Sequence, residues 1–109
     1  MIKMIFSDMD GTLLDEWGEL PPGFDEMAAK LKQRGVIFCP ASGRQYTALL
    51  MQLGDYIDDF VFLSENGTCV TYQGKELFSS PMPRQKILEL LAAIRRIKGA
   101  YPVLCSQRV

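Results

Sequence analysis

Phe6-Ser7-Asp8-Met9-Asp10-Gly11-Thr12-Leu13-Leu14 follows directly on an apolar run from Ile2 to Phe6. Two carboxylates one residue apart therefore stand where a buried strand ends, and Gly11 lets the chain turn. Ile2, Met4, Ile5 and Phe6 give apolar side chains to both faces of that strand, the pattern of a strand covered on both sides, as in a parallel sheet. Open α/β sheets collect their ligands at the carboxyl ends of the strands. Asp8 and Asp10 thus arrive at the edge where such folds do chemistry.

Outward from this stretch, Asp8 to Pro22 lacks periodicity, contains Gly11, Gly18, Pro21 and Pro22, and reads as a loop that includes Trp17. Phe24, Met27, Ala28 and Leu31 follow the i, i+3, i+4, i+7 rule and predict a helix over 23–33, closed by Gly35. Val36 to Cys39 is a second apolar strand, ending in the turn Pro40-Ala41-Ser42-Gly43-Arg44. Tyr46, Leu49, Leu50 and Leu53 predict a second helix before Gly54, and Phe60 to Leu63 a third strand ending in Ser64-Glu65-Asn66-Gly67. Thr68 to Tyr72 and Lys75 to Phe78 flank Gln73-Gly74 as a β-hairpin. The alternation predicts a Rossmann-like α/β fold with a parallel sheet. Beyond Pro81 and Pro83 come an amphipathic helix over 85–98 and a last strand over 101–105, with a boundary at about residue 80.

Twelve basic and 13 acidic residues, net charge -1, lie scattered along the 109 residues without a basic block, which argues against a nucleic-acid or membrane-surface partner. No apolar stretch approaches the ~20 residues that span a bilayer. Cys39, Cys69 and Cys105 are odd in number and show no Cys-x-x-Cys spacing, so a reducing, cytoplasmic setting is expected. The chain has no histidine, which closes Ser-His-Asp chemistry and His-ligated zinc hydrolysis to it.

Asp8-Met9-Asp10-Gly11-Thr12 after a hydrophobic strand resembles the first motif, Asp-x-Asp-Gly-Thr, of the haloacid dehalogenase (HAD) superfamily of phosphohydrolases. Ser42, within Ala41-Ser42-Gly43-Arg44, resembles its second motif. Asn66-Gly67 and Arg44 are similar to positions of the Cof-type subfamily of sugar and cofactor phosphatases. This resemblance implies that Asp8 attacks phosphorus to form an aspartyl phosphate and that Asp10 is the acid-base. It also implies that Met9, Asp10, Ser42, Gly43, Arg44 and Asn66 meet the phosphate of a small metabolite. Mg²⁺ would sit on the Asp8 carboxylate and the Asp10 backbone carbonyl. Residues 1–80 would be part of the HAD core, and 81–109 the opening of an inserted α/β cap domain.

Plainer readings exist for each motif. Asp8, Asp10 and Glu19 fit three calcium-loop positions, but Leu13 stands where that loop needs glycine. Ser42 reads equally as a helix N-cap, Asn66-Gly67 as a turn, Arg44 as surface charge and Asp58-Asp59 as a solvated loop. The P-type ATPase motif Asp-Lys-Thr-Gly-Thr fits less well, because Asp10 is acidic where that motif has threonine. The lysine of the third HAD motif and the acids of the fourth have no counterpart before Val109. Three strands in order put both helices on one sheet face and leave the other bare, with the first strand an open edge. The chain is therefore expected to be the amino-terminal part of a larger enzyme, with little activity alone. Self-association or pairing with a missing carboxyl-terminal part would cover the bare face. The alternative is a non-catalytic phosphate- or partner-binding fragment.

Overall fold

In a computed structural model, residues 1–106 are described. The chain divides into two compact units, Met1–Ser79 and Ser80–Val109. The first is built on a five-stranded sheet in the order β1-β2-β3-β4-β5. Its strands are β1 (Met4–Asp8), β2 (Ile37–Ala41), β3 (Val61–Ser64), β4 (Cys69–Tyr72) and β5 (Lys75–Ser79). The first three run parallel, and β4 and β5 add an antiparallel hairpin to β3. At the hairpin tip Gln73 (φ 51) and Gly74 (φ 70) both adopt left-handed backbone, the geometry of a two-residue turn matched to strand twist.

Helix α1 (Phe24–Gln33) begins with Asp25 and Glu26 and ends with Lys30 and Lys32, charges that complement its dipole. The amide of Gly35 donates to Lys32 and that of Val36 to Leu31, which closes the helix and turns the chain into β2. Phe24 and Ala28 of α1, and Leu49 and Leu53 of α2 (Tyr46–Leu53), pack with Phe38, Phe60 and Phe62 into one core. Strand alternation puts Ile5, Phe38, Phe60 and Phe62 on a common face, so both helices cover that face, as right-handed crossovers require. The opposite face is not uniformly bare. Met4 and Phe6 on the edge strand are 40% and 59% exposed, whereas Cys39 on interior β2 is fully buried.

Aromatic rings organise the core. Phe24 meets Phe38 edge-on at 5.9 Å, and Tyr56 stacks on Phe60 at 4.6 Å. The Tyr56 hydroxyl also donates to the Asp25 carboxylate. Burial first, and then that hydrogen bond, push its ionisation up to about 12 from an ordinary 10.0. The hydrogen bond to Asp59 likewise raises Lys32. Both folded values lie above the unfolded ones, so this stabilisation is complete below pH 10 and is lost as pH rises toward 12. The urea midpoint is expected to fall through that window, and Tyr56→Phe to flatten the fall.

In the second unit, α3 (Arg84–Ile94) carries Ile87, Leu91 and Ile94 as a half-buried stripe. It is shorter than the helix expected over 85–98, because the chain leaves α-geometry after Ile94 in a tighter turn, with Ile97 N–H donating to Ile94. Residues 101–106 form no strand, correcting the strand expected over 101–105. An apolar run becomes a strand only where a neighbour supplies ladder hydrogen bonds. Asp59 is likewise not simply solvated, since it pairs with Lys32 at 2.8 Å. No helix among the described residues is long and apolar enough to cross a membrane.

Candidate active site

Three turns meet at the carboxyl ends of β1, β2 and β3. Asp8 is the last residue of β1, and its Oδ1 accepts from the Met9 amide at 2.9 Å. Met9 is fully buried, so the residue after the carboxylate is anchored in the core. Asp10 stays extended (φ -72, ψ 124), Gly11 reverses the chain at φ 76, and the Leu14 amide returns to the Met9 carbonyl at 2.9 Å. Gly11 therefore needs its left-handed freedom. The turn leaves Asp10 exposed.

The second turn is locked to the third. The Ser42 amide donates to the Leu63 carbonyl at 2.9 Å, the Glu65 amide to Arg44 at 2.9 Å, and the Asn66 amide to Ser42 at 3.0 Å. Glu65, Asn66 and Gly67 are all left-handed, at φ 51, 59 and 82. Asparagine and glycine tolerate this, while glutamate holds the conformation at a cost. Ser42 does not cap α2, whose N-cap is Gln45. Its Oγ instead accepts from the Arg44 amide at 3.1 Å. The hydroxyl hydrogen is left to donate elsewhere.

Asp8, Ser42, Gly43 and Asn66 line one hollow of about 330 Å³. A larger hollow of about 430 Å³, with Asp25, Tyr56 and Tyr72 in its wall, lies at the other end of the strands and holds none of these groups. Asp10 faces Arg44: Nε donates to Oδ2 at 3.0 Å and Nη2 to Oδ1 at 2.5 Å. Such a two-pronged pair fixes orientation, although Asp10 at 60% exposure gains little stability from it. The sequence reading missed Gln52, whose Oε1 accepts from Arg44 Nη1 at 3.1 Å. Its signal is a polar residue among apolar ones near the end of α2.

A Cβ on Gly43 would stand 3.0 Å from the Asn66 Oδ1. Gly43→Ala is therefore expected to push the exposed Asn66 side chain aside. By titration with inorganic phosphate, affinity should fall a few-fold, while stability changes by less than about 1 kcal/mol.

For a divalent cation, the oxygen donors at hand are the Asp8 carboxylate and the Asp10 carbonyl. Asp8 Oδ2 has no hydrogen-bond partner among the described residues. No cluster of three or more His, Cys, Asp or Glu side chains is placed among those residues to hold a metal. The donors present suit magnesium, which takes oxygen ligands and commonly uses one or two carboxylates with water and substrate phosphate for the remainder.

The sheet thus sets paired carboxylates at the end of its edge strand and a hydroxyl and a guanidinium at the end of the next. Residues 5–108 match the haloacid dehalogenase-like hydrolase family, and the chain belongs to it. It is 33% identical over 84 residues to the 5-amino-6-(5-phospho-D-ribitylamino)uracil phosphatase YbjI of Escherichia coli (strain K12), covering 76% of this chain and 31% of that protein. It is 30% identical over 105 residues to YkrA of Bacillus subtilis (strain 168), provisionally named a phosphatase, covering 94% of this chain and 38% of YkrA. The chain thus spans about a third of the length of these curated relatives. Among solved structures, SMU.1108c from Streptococcus mutans UA159 superposes with a TM-score of 0.81 at 26% identity, over 90% of this chain and 37% of that one.

Proposed function

We propose that Met1–Ser79 carries the nucleophile and acid-base of a Mg²⁺-dependent, Cof-type phosphohydrolase. Its substrates would be small phosphorylated metabolites such as sugar phosphates. The observation that supports this most is the meeting of Asp8, Ser42 and Asn66 in one hollow, with Asp10 and Arg44 paired beside it.

In this reading an Asp8 carboxylate oxygen attacks phosphorus, and the bond from phosphorus to the ester oxygen breaks. Asp10, once it has left Arg44 and taken a proton from solvent, gives that proton to the leaving oxygen. It then takes a proton from the water that cleaves the aspartyl phosphate, which restores Asp8 and releases phosphate. The Ser42 hydroxyl, the Gly43 turn, the backbone at Met9 and Asp10, Arg44 and Asn66 hold the phosphate oxygens. Carboxylates and a phosphate dianion within ~4 Å repel by several kcal/mol per pair at an effective dielectric near 20. A bound magnesium ion, on the Asp8 carboxylate and the Asp10 carbonyl, would supply the offsetting charge.

Arg44 is the one cation that the structure sets against this pair among the described residues, and Asp10 already engages it. The 109 residues alone are therefore proposed to have little or no turnover, and Ser80–Val109 to open a cap domain. A cytoplasmic setting suits the free thiols of Cys39, Cys69 and Cys105. The exposed edge of β1 suits self-association or pairing with further chain.

The test is hydrolysis of p-nitrophenyl phosphate, with and without Mg²⁺, by this chain and by the longest natural form of the protein. Mg²⁺-dependent hydrolysis by the long form supports the reading. An inert long form that still binds phosphate would favour a non-catalytic binding module.

A further inference from the structure

We infer that Gln52 is a positioning residue for Arg44 and couples the anion site to the Asp15–Glu19 turn; this rests on Arg44 meeting phosphate as proposed above. Gln52 uses both ends of its amide. Oε1 accepts from Arg44 Nη1 at 3.1 Å, and Nε2 donates to the Gly18 carbonyl at 2.5 Å. Both bonds are partly buried, so water competes less for them than at an open surface.

The guanidinium is held from two sides. Asp10 takes two of its N–H donors and Gln52 a third, which leaves two of a guanidinium's five for an incoming oxyanion. A long arginine side chain otherwise loses rotamer freedom when it binds an anion. Gln52 imposes that order beforehand from the rigid helix α2, eight residues along the chain.

The far end of the amide reaches a turn held together by its own hydrogen bonds. Asp15 Oδ1 accepts from the amides of Trp17 (2.9 Å) and Glu19 (2.8 Å), and its carbonyl accepts from Gly18 at 3.0 Å. A shift of Arg44 toward a ligand therefore pulls, through Gln52, on the peptide beside Trp17. That residue is the only tryptophan in the chain and is 80% exposed, so its emission reports on the turn.

The test titrates the chain with inorganic phosphate in the presence of Mg²⁺, following affinity by calorimetry and Trp17 by fluorescence. Gln52→Met keeps the helix and the volume but neither hydrogen bond. It is expected to weaken phosphate binding about three- to tenfold and to abolish the phosphate-induced change in Trp17 emission. Arg44→Ala should weaken binding about tenfold or more, and adding Gln52→Met to it should change affinity by no more than about twofold. A structural role for Gln52 would lower affinity equally in both backgrounds, and that result overturns the inference. An unchanged affinity in Gln52→Met with Arg44→Ala still defective also overturns it, leaving the phosphate site standing. Absence of phosphate binding to the unaltered chain, or an Arg44→Ala variant that binds normally, defeats the site reading and the inference together.

Discussion

Asp8→Asn is expected to lower Mg²⁺-dependent p-nitrophenyl phosphate hydrolysis by the longest natural form about 10³-fold or more, some 4 kcal/mol of barrier. The fold should not change. Asparagine keeps an oxygen to accept from the Met9 amide, which is the carboxylate's own hydrogen bond, and the side chain is exposed. The lost rate then measures chemistry, because an amide oxygen is a far weaker nucleophile than a carboxylate. Unchanged circular dichroism and urea midpoint, alongside lost turnover, are the paired results to look for. Activity that survives would move the nucleophile elsewhere.

Phe62→Ala is expected to have the largest effect on stability. Phe62 is fully buried on β3, meets Tyr46 edge-on at 5.6 Å and lies 6.4 Å from Phe60. Truncating a buried phenylalanine costs about 3–5 kcal/mol, from lost transfer free energy and the cavity left behind. Domains of this size are stable by only about 5–15 kcal/mol, so much of the total would go. The urea midpoint should drop steeply with an unchanged slope. Because β3 also carries the Ser64–Gly67 turn, the same variant should weaken phosphate binding where partial unfolding sets in.

Most of the sheet was legible in the sequence because its signals are local. Phe24, Met27, Ala28 and Leu31 repeat at helical spacing, and Gly35 closes α1 as that pattern requires. The parallel order of β1, β2 and β3 follows from short strands joined by helices. Residues 101–105 have the same apolar character as β1 yet form no strand, because strand formation depends on a partner that periodicity does not show. Ser42 stands directly after β2, at the strand end expected, but the alternative reading as the N-cap of α2 does not hold, because Gln45 takes that place. The hydrogen bonds that hold Ser42 come from Leu63 and Asn66, more than 20 residues away.

The site divides along the same line. The Asp8–Asp10 spacing and the glycine turn can be read from five consecutive residues. The two-pronged pairing of Asp10 with Arg44 spans 34 residues, and Gln52 reaches back 34 residues to Gly18. Contacts of that range arise only when the sheet brings strand ends together. The close approach of Asn66 to Gly43 is of the same kind, and it explains why glycine suits that position although its backbone is not left-handed.

In the proposed reaction Asp8 becomes phosphorylated during turnover. The most direct measurement is to quench the longest natural form during p-nitrophenyl phosphate hydrolysis, trap acyl phosphate with hydroxylamine, and locate the modified residue by peptide mass spectrometry. Modification of Asp8, absent without substrate and absent in Asp8→Asn, is the predicted result. Modification at Asp10, or brisk turnover with no trapped aspartate, would contradict the account.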